Sequence, residues 1–360
     1  MHTAEQPGSG STDTAPGGTG PEWYGLHVHR YTGQDDFLVD AVAPALTPLY
    51  RQGELDRAFF LRYWQGGHHI RLRLRLTAAD PQRRERTFDD VVDRIAAQLE
   101  ASPGGYGFDP DAFREAQTTM AALESEAPDE LRPPDSLHRV PYAPEYDKYG
   151  GTEGVAIAER FFDRSSAVAL AALRSIGGSS AKRLGAAFSM MLRGLSAARL
   201  SPAETAAFFA HYCVVWSPYV FDQFLDTWPD LLEQRQGAAA RHAERLLAGG
   251  RPADDPFAVA VGEAWAGLTA ASATVLPAVT LGGARAPAER RKQIVLLSYL
   301  HTHNNRLGLI PEQEAFLGCL GHHVVSACAG LVPAADLLDR VRDHRRERLA
   351  AGPGVPSGRY

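Results

Sequence analysis

Cysteine is scarce. Cys213, Cys319 and Cys328 are the only three in 360 residues. They form no CxxC pair and cannot all be paired internally, so a disulfide framework is excluded and buried thiols in a reducing compartment are expected. No apolar run approaches the roughly 20 residues needed to span a bilayer as a helix. The N-terminus lacks the basic and apolar blocks of a secretion signal. Charge of one sign is also wanting: 37 Lys and Arg stand against 43 Asp and Glu, a net −6. That balance gives no general pull toward nucleic acid or an anionic membrane. The expectation is a cytoplasmic protein that binds neither directly.

Several motifs are missing too. Gly177-Gly178-Ser179-Ser180-Ala181-Lys182 lacks the GxxxxGK[ST] frame of a phosphate loop, and neither GxGxxG after a strand nor GxSxG occurs. The pairs His68-His69, His301-x-His303 and His322-His323 have no HExxH or Cys/His companions. Adjacent or alternate histidines on a helix point apart, so no metal is expected.

What is present is a core-forming composition, 44% hydrophobic, with clear periodicity. Residues 1–21 are mostly Gly, Ser, Thr, Pro and Ala, with few large apolar side chains, and read as a disordered tail; 351–360 read as a second, flexible one. Trp23–Tyr31 reads as a strand with Leu26 and Val28 on one side and His27 and His29 on the other. Gln34–Arg51 has helical spacing that Pro44 and Pro48 should bend or interrupt. Arg57–Trp64, the turn Gln65-Gly66-Gly67 and His69–Leu76 form a hairpin, and Phe88–Leu99 an amphipathic helix. After a Pro-rich linker at about 125–153, segments near 155–174, 183–197, 202–214, 230–248, 256–270 and 287–305 repeat with a 3.6-residue period. The class is α+β: a small antiparallel or mixed sheet with a hairpin in the N-terminal half, then a large helical half, together one domain over 22–350.

Three constellations are candidates for chemistry. In His69-Ile70-Arg71-Leu72-Arg73-Leu74-Arg75-Leu76 the alternation sends the leucines and Ile70 to one face and His69, Arg71, Arg73 and Arg75 to the other. Such a row of cations suits a carboxylate ligand, or is a solvated face with internal acidic partners. Tyr142-x-x-Glu145-x-x-Lys148-Tyr149-Gly150-Gly151 joins an acid, a base and a turn-permitting glycine pair, or is a structural loop. In Ser298–Arg306, His301, Asn304 and Asn305 share a helical face, where a histidine beside amides can serve as acid or base, or where polar groups cap a helix end. Tyr212, Trp216, Tyr219, Phe221 and Phe224 read as core or groove wall.

Together these patterns resemble the C-terminal, elimination-type domain of lantibiotic dehydratases. The resemblance runs through Phe59-Phe60-Leu61-Arg62-Tyr63-Trp64 with His69-x-Arg71-x-Arg73, the Tyr142–Gly151 motif (where the family usually has Arg at the position of Lys148), Glu159-x-x-Phe162-x-x-Ser165-Ser166, and Ser298-x-x-His301-x-x-x-Asn305-Arg306. It implies a split member without the large glutamylation domain, and cofactor-free chemistry on a ribosomally made peptide. Elimination of glutamate from glutamylated Ser or Thr is the first reading. A formal [4+2] aza-cycloaddition of two dehydroalanines, with loss of water and leader, is the second; a non-catalytic leader-binding accessory is the third. By the same resemblance His301, Arg71 and Lys148 would be catalytic. His69, Arg73, Tyr142, Glu145, Ser298, Asn305 and Arg306 would bind substrate. The partners implied are a precursor peptide, leader and core, with a separate glutamylation protein and a second copy of the chain as further candidates.

Overall fold

The computed structural model describes residues 22–124, 127–248, 254–281, 284–285 and 290–350. Both expected tails lie outside them, as does the start of the helix expected at 287. Strand β1 (Glu22–His29) leads into α1 (Gln34–Phe37), one π-helical turn (Leu38–Val42) and α2 (Ala43–Gln52). The widened turn falls just before Pro44, where the missing N–H and ring bulk were expected to interrupt the helix. The hairpin follows as β2 (Leu55–Tyr63) and β3 (His69–Leu76), then α3 (Pro81–Ala101). α3 starts seven residues earlier than its apolar stripe suggested, because Asp80 caps it and Pro81 occupies its first turn.

The helix α4 (Pro110–Glu124) and the strand β4 (Ser136–Arg139) were not expected. β4 lies inside the Pro-rich stretch read as a linker. It completes an antiparallel sheet in the order β2-β3-β1-β4. The helical half comprises α5 (Tyr146–Tyr149), α6 (Gly151–Ile176), α7 (Ser180–Ala197), α8 (Pro202–Trp216), α9 (Asp222–Leu225), α10 (Trp228–Ala248), α11 (Pro256–Ala270), α12 (Ser272–Val275), α13 (Arg291–Leu307), α14 (Pro311–Cys328) and α15 (Leu337–Ala350). The last two extend the helical pattern beyond the segments recognised from periodicity. Among the described residues no single helix is long and apolar enough to cross a membrane.

The alternation in β3 is realised. Ile70, Leu72, Leu74 and Leu76 are buried with Leu26, Val28 and Phe60 in the main core. The opposite face carries His69, Arg71, Arg73 and Arg75, paired in register with His27 and Gly25 of β1 and with Tyr63, Leu61 and Phe59 of β2.

The outer edge of β2 is sealed by side chains. Ala58 N–H donates to Asp163 and Phe60 N–H to Ser166, both on α6, while Arg62 N–H donates to Asn305 Oδ1 at 2.8 Å. Asn305 Nδ2 returns a bond of 2.9 Å to Arg62 O. An edge strand thus spends its free donors on helices that must stay beside it. Asn305→Ala removes both of its bonds to the strand, and is expected to destabilise the fold by roughly 1–3 kcal/mol at an unchanged m-value in urea denaturation.

Candidate active site

The sheet face holds imidazoles as well as arginines. His29 stacks on His69 with centroids 4.6 Å apart; His27 lies 4.8 Å from His69, and His138 of β4 lies 5.0 Å from His29. Arg71 Nε donates to His69 Nε2 at 3.2 Å, and Arg73 contacts His27 Nε2 at 3.1 Å. A guanidinium can only donate, so both imidazoles must be neutral with the proton on Nδ1; His69 Nδ1–H reaches Gly67 O at 2.8 Å. Burial and the neighbouring arginines push His27 down to about 3. Burial, with His29, His27 and Arg71 nearby, holds His69 at about 2.

Buried Arg73 also donates to Leu72 O and sits 6.0 Å from the Tyr142 ring; burial and Arg71 lower it to about 10. No carboxylate pairs with it among the described residues. Gly25 makes room: a Cβ there would meet Val140 O at 2.1 Å and the Arg73 guanidinium at 3.1 Å. Arg71 lies over the Tyr63 ring at 3.3 Å.

The imidazole cluster has a linkage consequence. The folded state resists protonating His27, His29 and His69, whereas the unfolded chain takes up those protons near pH 6.5. The stability they permit is therefore lost as pH falls below about 6.5 toward the folded values. Thermal unfolding at pH 7 and pH 5 is expected to show a lower Tm at pH 5, and His27→Gln with His69→Gln is expected to flatten that difference.

A second constellation is built where α8, α13 and α14 meet. Glycines set the spacing. A Cβ at Gly318 would meet Cys213 N at 2.6 Å, and one at Gly321 would meet the Phe209 ring at 2.5 Å. Close packing of α14 on α8 brings Glu314, fully buried, against Tyr212, whose hydroxyl donates to Glu314 Oε2. Asn304 Nδ2 donates to the same oxygen at 3.2 Å. The other carboxylate oxygen lies 2.9 Å from His301 Nδ1, and the His301 ring stacks on Trp216 at 4.0 Å. His301 is 24% exposed. Its Nδ1 is taken, and no protein group among the described residues bonds its Nε2.

The C-terminus of α13 is fixed as well. Gly308 takes the left-handed conformation (φ 83°), Arg62 donates to Arg306 O at 3.2 Å, and Arg183 donates to Leu307 O. Both arginines share Asp35. Arg306 is fully buried, donating to Ser166 Oγ at 3.0 Å and Ser165 Oγ at 3.2 Å with its guanidinium 5.0 Å from the Phe162 ring. Burial lowers it to about 9.

The residues singled out from sequence therefore divide. His69, Arg71, Arg73 and Tyr142 gather on the sheet face. His301 and Asn304 converge on Glu314, whereas Asn305, the next residue, holds the β2 edge, so α13 joins the two groups. Ser298 is buried on α13, and Arg306 is packed among Phe162, Ser165 and Ser166. Lys148 Nζ pairs with Glu145 at 3.2 Å on α5 and lies 5.4 Å from the Tyr149 ring. Gly150 and Gly151 have φ of 88° and 79°, and a Cβ at Gly150 would meet Val275 O at 2.3 Å. The pair is both a turn and a close approach. Sequence reasoning missed Glu314 and the stacking role of Trp216.

The fold has relatives of known structure. A pyridine synthase from thiomuracin biosynthesis, TbtD, aligns with a TM-score of 0.68 at 20% identity, covering 86% of this chain and 99% of its own. TsrL aligns at 0.58 and 20% identity, covering 89% and 99%. The tRNA-dependent lantibiotic dehydratase MibB from Microbispora sp. 107891 aligns at 0.54 and 20% identity, over 89% of this chain and 29% of that one. No curated protein matches the chain. Residues 23–325 match the model for the C-terminal region of the lantibiotic biosynthesis dehydratases, a span that includes both constellations, and the chain belongs to that family.

Proposed function

We infer that the protein is an enzyme that tailors a ribosomally made peptide, and that its reaction is the formal [4+2] joining of two dehydroalanines to form a pyridine ring. One observation carries this reading: an acid–base histidine, His301, is held through Nδ1 by a buried carboxylate and braced by Trp216, with Nε2 left for substrate. The joining needs such a group. One dehydroalanine becomes an azadiene when its amide proton moves from nitrogen to oxygen. Two carbon–carbon bonds then form, and loss of water and of the leader as its amide makes the ring aromatic. A carboxylate-oriented imidazole can take and return those protons without a cofactor. The likeness to a pyridine synthase over nearly the whole of that chain supports the same choice. So does Lys148, which lacks the bidentate fork of arginine and is already paired with Glu145.

Glutamate elimination is the second reading, and Arg73 favours it. A buried guanidinium that no carboxylate among the described residues pairs with suits a glutamyl group. Mass spectrometry decides between the two. With a leader-bearing bis-dehydroalanine peptide, the expected products are a macrocycle and a leader amide. An unchanged peptide excludes cycloaddition.

A further inference from the structure

The two edges of the sheet are not alike. On β2 the outward N–H groups of Ala58, Phe60 and Arg62 are all taken by side chains. On β4 they are not. Val140 N–H donates to Gly25 O, and the register pairs His138 with His27 and Ser136 with His29. In an antiparallel ladder bonded and non-bonded positions alternate, so the N–H and C=O of Leu137 and Arg139 point away from β1. Among the described residues nothing bonds them.

The two faces flanking this edge differ in charge. Arg139 is neutralised on one face by Asp89 and by Glu85 at 3.8 Å, with Phe88 beneath it. On the other face His138 begins the row that continues through His29, His27 and Arg73. The positive charge of Arg132 also acts on His29 and His138. Among the described residues no carboxylate pairs with either imidazole or with Arg73 there.

The geometry points to the outer edge of β4 as a docking strand for an extended segment of the precursor peptide. That segment would pair its backbone with Leu137 and Arg139 and set an acidic side chain beside His138, on the face where Arg132, Arg71 and Arg73 supply the positive charge. This inference rests on the reading of the substrate as a peptide. Strand addition supplies affinity from main-chain bonds and register from alternate side chains. Here the register would carry the peptide along the same face that bears Arg71 and Arg73.

The test uses the whole chain and the fluorescein-labelled precursor peptide encoded nearest its gene. Single backbone N-methylations are scanned along the peptide, and binding is read by anisotropy. The expected pattern has period two: methylation weakens binding about tenfold or more at alternate residues of one short stretch and leaves the residues between nearly unchanged. Added salt should weaken binding further, and an acidic residue in that stretch should account for the salt effect when neutralised. Leu137→Pro provides the second arm. Its lost N–H points outward, so pairing with β1 is kept while docking is lost, again about tenfold or more. A scan without alternation, or a folded Leu137→Pro that binds as the parent does, overturns the proposal. Conversion of the bis-dehydroalanine peptide is read separately. If it is converted without alternation, the edge proposal fails and the reaction stands; alternation without conversion keeps the dock and removes the reaction; no binding at all removes both.

Discussion

Replacing His301 by alanine is expected to lower turnover by about 10²–10⁴-fold, the range for losing a positioned acid–base group, while changing peptide affinity little. The reason is geometric. His301 spends Nδ1 on Glu314 and one ring face on Trp216, leaving a single nitrogen for the substrate. Alanine keeps helix α13 intact, since the helix is anchored elsewhere by Arg62, Arg183 and Gly308. The loss should therefore fall on kcat with the far-ultraviolet spectrum nearly unchanged, while Tm falls moderately because buried Glu314 Oε1 loses its partner. A variant that keeps full turnover removes His301 from the reaction.

Glu314→Ala should have the second largest effect, and on two quantities. It strips a partner from the Tyr212 hydroxyl, from Asn304 Nδ2 and from His301 Nδ1, in a place with no exposure to water. Breaking one side of a buried ionic or polar cluster costs about 3–5 kcal/mol, and here Asn304 Nδ2 would be left with Tyr212 Oη and Met191 Sδ, and the Tyr212 hydroxyl without its carboxylate acceptor. The urea midpoint should fall accordingly. Glu314→Gln keeps the shape and one acceptor, so it should unfold much closer to the parent while still losing kcat. In a cycle with His301→Ala the two losses should be markedly less than additive, the sign that Glu314 acts through the histidine. If the losses add, Glu314 supports the fold alone.

How much of this was legible beforehand depended on range. The β3 face was readable because its alternation is local: His69, Arg71 and Arg73 must share a side whatever packs on them. The hairpin was readable for the same reason. β4 was not, since four residues among prolines carry no periodicity, and only pairing with β1 makes Ser136–Arg139 a strand. Glu314 was hidden because its meaning comes from α8 and α13, through contacts 102 and 13 residues apart in sequence. His301, Asn304 and Asn305 illustrate the limit most sharply. Helical spacing put them on one side of α13, yet Asn305 faces the sheet edge while the other two face Glu314. A helix presents an arc, and only the neighbours decide how that arc is divided.

The preference for ring formation over elimination comes down to which leaving group the site is built for. The decisive measurement offers the protein both substrates in one vessel, a leader-bearing bis-dehydroalanine peptide and a glutamylated serine peptide, and follows both masses over time. Ring closure with release of the leader amide, alongside an untouched glutamylated peptide, is the predicted result. Loss of glutamate from the second peptide while the first persists would contradict it.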